Sequence, residues 1–205
     1  MRFENRRRFL QLAIFAIVPL GISQINLLKP QSSSAMSISE PSSPPAHNPE
    51  LLRLFTEDQA DRQPPEGQAI DWSLIASRDA ARLARVKELY NADVLQTGAD
   101  YYHAALILQH GSEPEDYLLA HEFCIVAIGK GEERAKWLAA ASEDRFLMSI
   151  DRPQRFGTQY RSEPDDPDRR VRLYATDPRV TDGLRREFNA PSLAEAQERE
   201  QLFQE

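Results

Sequence analysis

Glycine and proline punctuate the middle of the chain at wide intervals, and that spacing leaves room for little regular structure except helices. Between Thr97 and Pro153 they occur only at Gly98, Gly111, Pro114, Gly129 and Gly131. The stretches between them predict helices over residues 99–110, 112–129 and 132–150, with Gly111 and Gly131 as C-terminal stops and Pro114 in a first turn. Such short turns force neighbouring helices into antiparallel hairpins. Two further helices precede them. One covers residues 50–62, with Leu51, Leu52, Leu54 and Phe55 as its apolar patch, and ends at Pro64-Pro65-Glu66-Gly67. The other is capped by Asp71, runs to about Asn91, and buries Leu74, Ile75, Leu83, Val86 and Tyr90.

Beyond Pro153 the pattern changes. Residues 156–160 and 171–174 alternate in the strand sense around an acidic, proline-broken loop, which predicts a two-stranded hairpin against the helices. Two short helices follow, over about 181–188 and from Ser192, where Ser192-Leu193-Ala194-Glu195 fits a capping box. The expected fold is mainly α, built of antiparallel helical hairpins with a small C-terminal β-hairpin. The small residues Ala104, Ala105, Ala135, Ala139 and Ala140 give the hairpins a weak resemblance to tetratricopeptide or Sel1-like pairs, with the repeat signature incomplete.

The first 48 residues have a different character. Arg6-Arg7-Arg8 precedes an apolar stretch over residues 9–22, after which the chain becomes polar and serine-rich. That order predicts an export signal over residues 1–35, with Ser33-Ser34-Ala35 as small residues suited to cleavage. An uncleaved N-terminal membrane anchor is the competing reading. Asn5-Arg6-Arg7-Arg8-Phe9-Leu10-Gln11 resembles the twin-arginine export motif of bacteria. Residues 36–48 read as a disordered Ser/Pro linker, leaving residues 49–205 as a single domain. The expected address is extracytoplasmic: periplasmic, secreted or N-terminally anchored.

Of the 205 residues, 25 are basic and 32 acidic; residues 1–35 hold five of the former and one of the latter. The remainder therefore has 20 basic and 31 acidic groups and a net charge of −11. So acidic a domain has no footprint for nucleic acid, and contact with a membrane is expected only through the N-terminal segment. The single cysteine, Cys124, excludes an internal disulfide framework and a cysteine-built zinc site.

No phosphate-binding loop and no nucleophile elbow occur in the sequence. His103 and His110 lie too far apart along one helix to share a metal ion, and His121-Glu122 lacks the second histidine of a zinc-protease motif, Ile125 standing in its place. Neither a metal nor a cofactor is expected. Asp144-Arg145 stands among Phe146, Leu147 and Met148, where burial demands polar partners. Pro153-Gln154-Arg155-Phe156-Gly157-Thr158-Gln159 places two amides, a hydroxyl and a glycine on one loop, suited to a polar pocket or to sealing the hairpin.

Asp58-Gln59-x-x-Arg62, Gln109-His110, Asp144-Arg145 and Pro153-Gln154-x-Phe156-Gly157-Thr158-Gln159 occur in that order. With the stretch Arg82 to Val86 and the tail from Thr181 through Leu193, they resemble a bacterial domain-of-unknown-function family marked by DQxxR, QH, DR and PQ-x-Y/F-GTQ. The resemblance spans about residues 50–195 and implies a shared set of polar positions, Asp58, Gln59, Arg62, Gln109, His110, Asp144, Arg145, Gln154, Gly157, Thr158 and Gln159. It implies no reaction.

Three functions fit these residues. One is a non-catalytic module that binds a protein, a peptide or a small molecule. Another is a hydrolase-type enzyme with His110 as general base and Arg145, Gln154, Thr158 and Gln159 orienting the substrate. In the third the polar residues are a buried network that fastens the hairpin to the helix of residues 132–150. Geometry discriminates: convergence on an open cavity favours a site, and mutual saturation favours a scaffold.

Overall fold

The computed structural model describes residues 46–64, 69–162, 166 and 170–203. The expected export signal (residues 1–35) and nearly all of the expected Ser/Pro linker (residues 36–48) lie outside the described residues. Among the described residues seven helices and one small sheet follow in chain order: α1 (Pro49–Asp61), α2 (Trp72–Asn91), α3 (Gly98–Leu108), α4 (Pro114–Gly129), α5 (Ala135–Ser149), β1 (Tyr160–Ser162), β2 (Val171–Leu173), α6 (Asp182–Glu187) and α7 (Leu193–Leu202). The domain is mainly helical with a two-stranded antiparallel sheet, as the punctuation predicts.

Local chemistry explains the helix starts. The Asn48 side chain accepts from the amides of Glu50 and Leu51 ahead of Pro49, and Asp71 does the same for Ser73 and Leu74. Thr97 and Asp100 form a reciprocal capping box on α3, and Ser192 and Glu195 form one on α7. Asp100 does more than cap. Its buried carboxylate also accepts the Asn48 amide at 2.7 Å, tying the entrance of α1 to the start of α3. Gly111 ends the α3 turn where a Cβ would overlap the Asp116 carboxylate of α4, so the two helices close up only around a glycine.

The core lies where α4 packs on both α3 and α5, with α1 against α3. Leu51, Leu54, Val86, Ile107, Leu108, Phe123, Cys124 and Leu138 fill it, with alanines 104, 105, 120, 127, 135 and 139 allowing close approach. Aromatic edges complete it: Phe123 takes the rings of Tyr90 and Tyr101 at 5.0 and 5.3 Å.

Three expectations need correction. First, α2 buries Ile75, Arg82, Val86 and Leu89, whereas Leu74 and Tyr90 are exposed. The buried stripe is rotated because Arg82 turns inward to three carboxylates of α1 and α2. Second, α5 begins at Ala135 and not at residue 132, because Glu132 folds back to bind the Arg134 guanidinium at 2.7 and 2.6 Å. Its end falls where expected, with Ile150 as C-cap, a left-handed Asp151 (φ 57) and the Arg152 amide bonded to Leu147 O at 2.8 Å. Third, residues 156–159 are not strand. Among the described residues the hairpin pairs over 160–162, in the register Tyr160↔Leu173, Arg161↔Arg172 and Ser162↔Val171, and Gln154 makes an isolated bridge to Thr176. The α7 helix backs this short hairpin, with Tyr160 Oη donating to Ala196 O at 2.9 Å and Glu200 accepting the Leu173 amide at 3.1 Å.

Asp100 carries a pH signature. Burial raises its pKa, but the amides of Thr97, Asn48 and Gln96 outweigh burial and hold it below the ordinary carboxylate value. The stabilisation is complete above about pH 4, the unfolded value, and is lost as pH falls through the folded one. Asp100→Asn is expected to cost about 1–3 kcal/mol at pH 7, from weakened bonds to three amides, and to flatten the acid limb of a denaturant-stability profile.

Candidate functional site

The loop that follows α5 is organised by one carboxylate. Asp144, fully buried on the last turns of α5, accepts the amides of Arg155 (2.6 Å) and Phe156 (2.9 Å) on Oδ1. Its Oδ2 accepts the Thr158 amide (3.0 Å) and the Thr158 hydroxyl (2.8 Å). Burial raises its pKa, and the four donors oppose that rise. Folding three amides around one carboxylate requires a sharp bend, supplied by Gly157 at φ +79. A Cβ there would also press within 3.3 Å of the Ala196 Cβ.

Arg185 of α6 holds the carbonyl side of the same loop. It is buried, and donates from Nε to Phe156 O (3.3 Å), from Nη2 to Arg155 O (3.0 Å) and from Nη1 to Val180 O (2.6 Å). The loop thus has its N–H groups on an aspartate and its C=O groups on an arginine. Phe156 is left to insert its ring beside Phe188 at 4.9 Å.

The two glutamines complete the closure. Gln154 accepts the Gln159 amide (2.8 Å) and donates to Gln159 O (2.9 Å) and Tyr174 O (2.8 Å), acting as an extra rung between the loop and the strand exit. Gln159 donates to Thr158 Oγ1 (3.0 Å) and Ala141 O (3.3 Å), and accepts from Arg145 Nε (3.3 Å). Arg145 then reaches the end of α3, donating from Nη1 to Gln109 O at 2.7 Å, with its guanidinium 5.9 Å from the Tyr117 ring centre. Burial, with Arg62 nearby, lowers its pKa.

A second set of charges joins at His110, whose Nε2 lies 3.5 Å from Asp58 Oδ2. Asp58 also accepts from Gln59 Nε2 and Arg62 Nη1, both at 2.8 Å. Arg62 forks onward to Asp79 at 2.6 Å, Asp79 accepts from Arg82 at 3.0 Å, and Arg82 pairs with Asp61. Burial raises the Asp58 pKa, but His110, Arg62 and Gln59 outweigh it and leave it below the ordinary value. Burial lowers the pKa of His110 despite Asp58, so the ring is neutral near pH 7.

All the residues singled out in the sequence therefore belong to one chain of contacts that crosses α1, the end of α3, α5 and the 154–159 loop. Asp61 and Asp79 were not singled out, and Arg82 and Arg185 entered only as members of the stretches 82–86 and 181–193, without a role of their own. The signal for the α2 pair was present: Asp79-x-x-Arg82 echoes Asp58-Gln59-x-x-Arg62 at similar spacing. Arg185 carried no comparable signal, since an arginine in a short polar helix reads as solvated. Comparison with family models, with curated proteins and with solved structures gave no match. Among the described residues no group of three or more His, Cys, Asp or Glu is placed to hold a metal ion. His103 stacks on Phe55 at 4.3 Å, His121 Nδ1 lies 2.9 Å from Ala139 O, and Cys124 is a buried thiol whose pKa burial pushes up.

An open groove of about 640 Å³ lies elsewhere, between α1 and α2. Arg53, Arg78 and Arg85 stand half-exposed on its rim with Glu50, Glu57 and Asp61, over a floor that includes Leu54.

Two measurements follow from this geometry. Asp144→Ala strands three amides inside the protein and is expected to cost about 3 kcal/mol, lowering Tm by roughly 6–12 °C in a scanning calorimeter. His103, whose pKa burial lowers to about 4, and His110 both bind protons more readily when unfolded. Their contribution is complete above about pH 6.5 and declines as pH falls toward the folded values. His103→Phe, which keeps a ring against Phe55, is expected to make chemical-denaturation stability fall less steeply between pH 6.5 and 4.

Proposed function

We propose that the chain is an exported, non-catalytic binding module that engages a protein or peptide partner through the charged groove between α1 and α2. The observation that carries this reading is how the polar side chains are divided. The loop residues Asp144, Gln154 and Gln159 spend their hydrogen bonds on one another and on the backbone, whereas the groove carries half-exposed guanidinium groups, paired with Glu50, Glu57 and Asp61, that solvent reaches. Forked arginines alternating with glutamates suit a peptide that carries both charges. Export rests on the twin-arginine resemblance and the order of charged, apolar and polar regions before residue 36. Membership of the motif-bearing family would make the Asp144-centred network a shared scaffold, with binding left to the surface.

A hydrolase is the second reading, and one contact favours it: the Asp58–His110 pair has the arrangement of a base oriented by a carboxylate. The test is site-specific photocrosslinking in the producing cells, with the photoreactive side chain at Arg53, Glu57 or, as control, exposed Leu202. The module reading expects an extracytoplasmic adduct from the two groove positions and none from Leu202. Equal labelling at all three, or a His110-dependent turnover by the purified chain, would count against it.

A further inference from the structure

The Arg145 guanidinium is placed as few buried cations are. Among the described residues no carboxylate lies within ion-pair distance of it, and its two hydrogen bonds end on neutral oxygens, Gln109 O and Gln159 Oε1. The adjacent carboxylate of Asp144 is occupied by the loop amides. Arg62 adds repulsion. Buried charges are ordinarily compensated, because a lone ion in a low-dielectric interior is strongly disfavoured.

Each of the two residues keeps a donor without a protein acceptor among the described residues. The Nη2 end of the Arg145 fork makes no hydrogen bond among the described residues, and the residue keeps 7% of its surface exposed. The side-chain amide Nε2 of Gln109, the same residue whose carbonyl accepts Arg145 Nη1, has no partner although Gln109 is only 1% exposed. Unpaired donors, a surplus positive charge and the positive edge of an amide all ask for the same partner.

We propose that Arg145 and Gln109 form a binding site for a small monovalent anion, of halide or carboxylate size. One guanidinium charge balances one monovalent anion, whereas a doubly charged sulfate or phosphate would leave net negative charge beside the buried fork. The site is separate from the α1–α2 groove. It places the neutralising charge between α3 and α5, the two helices that Arg145 links, so occupancy should strengthen their contact.

The test uses chloride-35 line broadening with the purified chain, and competition by added formate. Wild type is expected to broaden the chloride signal beyond a charge-matched control protein, and formate is expected to remove the excess while sulfate at equal ionic strength does not. Gln109→Leu, which keeps the backbone acceptor and removes the amide, is expected to weaken the competition roughly tenfold, and Arg145→Gln to abolish the excess. Circular dichroism shows whether each variant is folded; Gln109→Leu carries the test where Arg145→Gln does not fold. No excess in wild type, an excess unchanged in folded Gln109→Leu, or better competition by sulfate than by formate would overturn the proposal. The first of these would assign the donors to ordered water instead.

Discussion

The Asp144 carboxylate is the contact on which the C-terminal half depends. A loop of six residues cannot be buried unless its peptide groups find partners, since each unsatisfied donor in the interior is costly. Asp144 accepts three of its amides and a hydroxyl, Arg185 donates to two of its carbonyls, and Gln154 bridges its ends. With the backbone satisfied, Phe156 can enter the small second core with Ala140, Phe188 and Ala190. The hairpin and α7 then have a fixed surface to pack on.

The same logic extends toward the N-terminus with charge in place of amides. Arg145 passes from Gln159 to the end of α3, and the Gln109–His110 pair links that corner to Asp58 and the arginine–aspartate chain of α1 and α2. The helices are thereby held in register: besides the core that both help to fill, α1 and α2 are linked through Arg62, Asp79, Arg82 and Asp61. Buried ion pairs of this kind add little net stability compared with apolar packing, but removal of one partner is heavily penalised. Their value here is in specifying one arrangement of the helices.

Much of the architecture was legible because it rests on local chemistry. Asp71, Thr97, Pro114 and Ser192 mark helix starts by side-chain capping or restricted φ, which needs no tertiary context. The rotated face of α2 was not legible, because Leu74 and Arg82 compete for the interior and the winner is set by aspartates on another helix. Nor was the loop conformation of residues 156–159, whose alternation imitates a strand while Asp144 draws successive amides to a single point. The polar positions were visible as residue types out of place among apolar neighbours. Their joint closure was not, since it required Arg185, which is distant in sequence and ordinary in its local setting.

Native-state hydrogen exchange at the Phe156 and Thr158 amides tests the central claim most directly. If Asp144 holds the loop as an integral part of the scaffold, both amides exchange only through global unfolding, with protection close to that of the α4 core. Exchange at the rate of an exposed loop, in a chain whose α4 amides remain protected, would contradict it and return these residues to a flexible site.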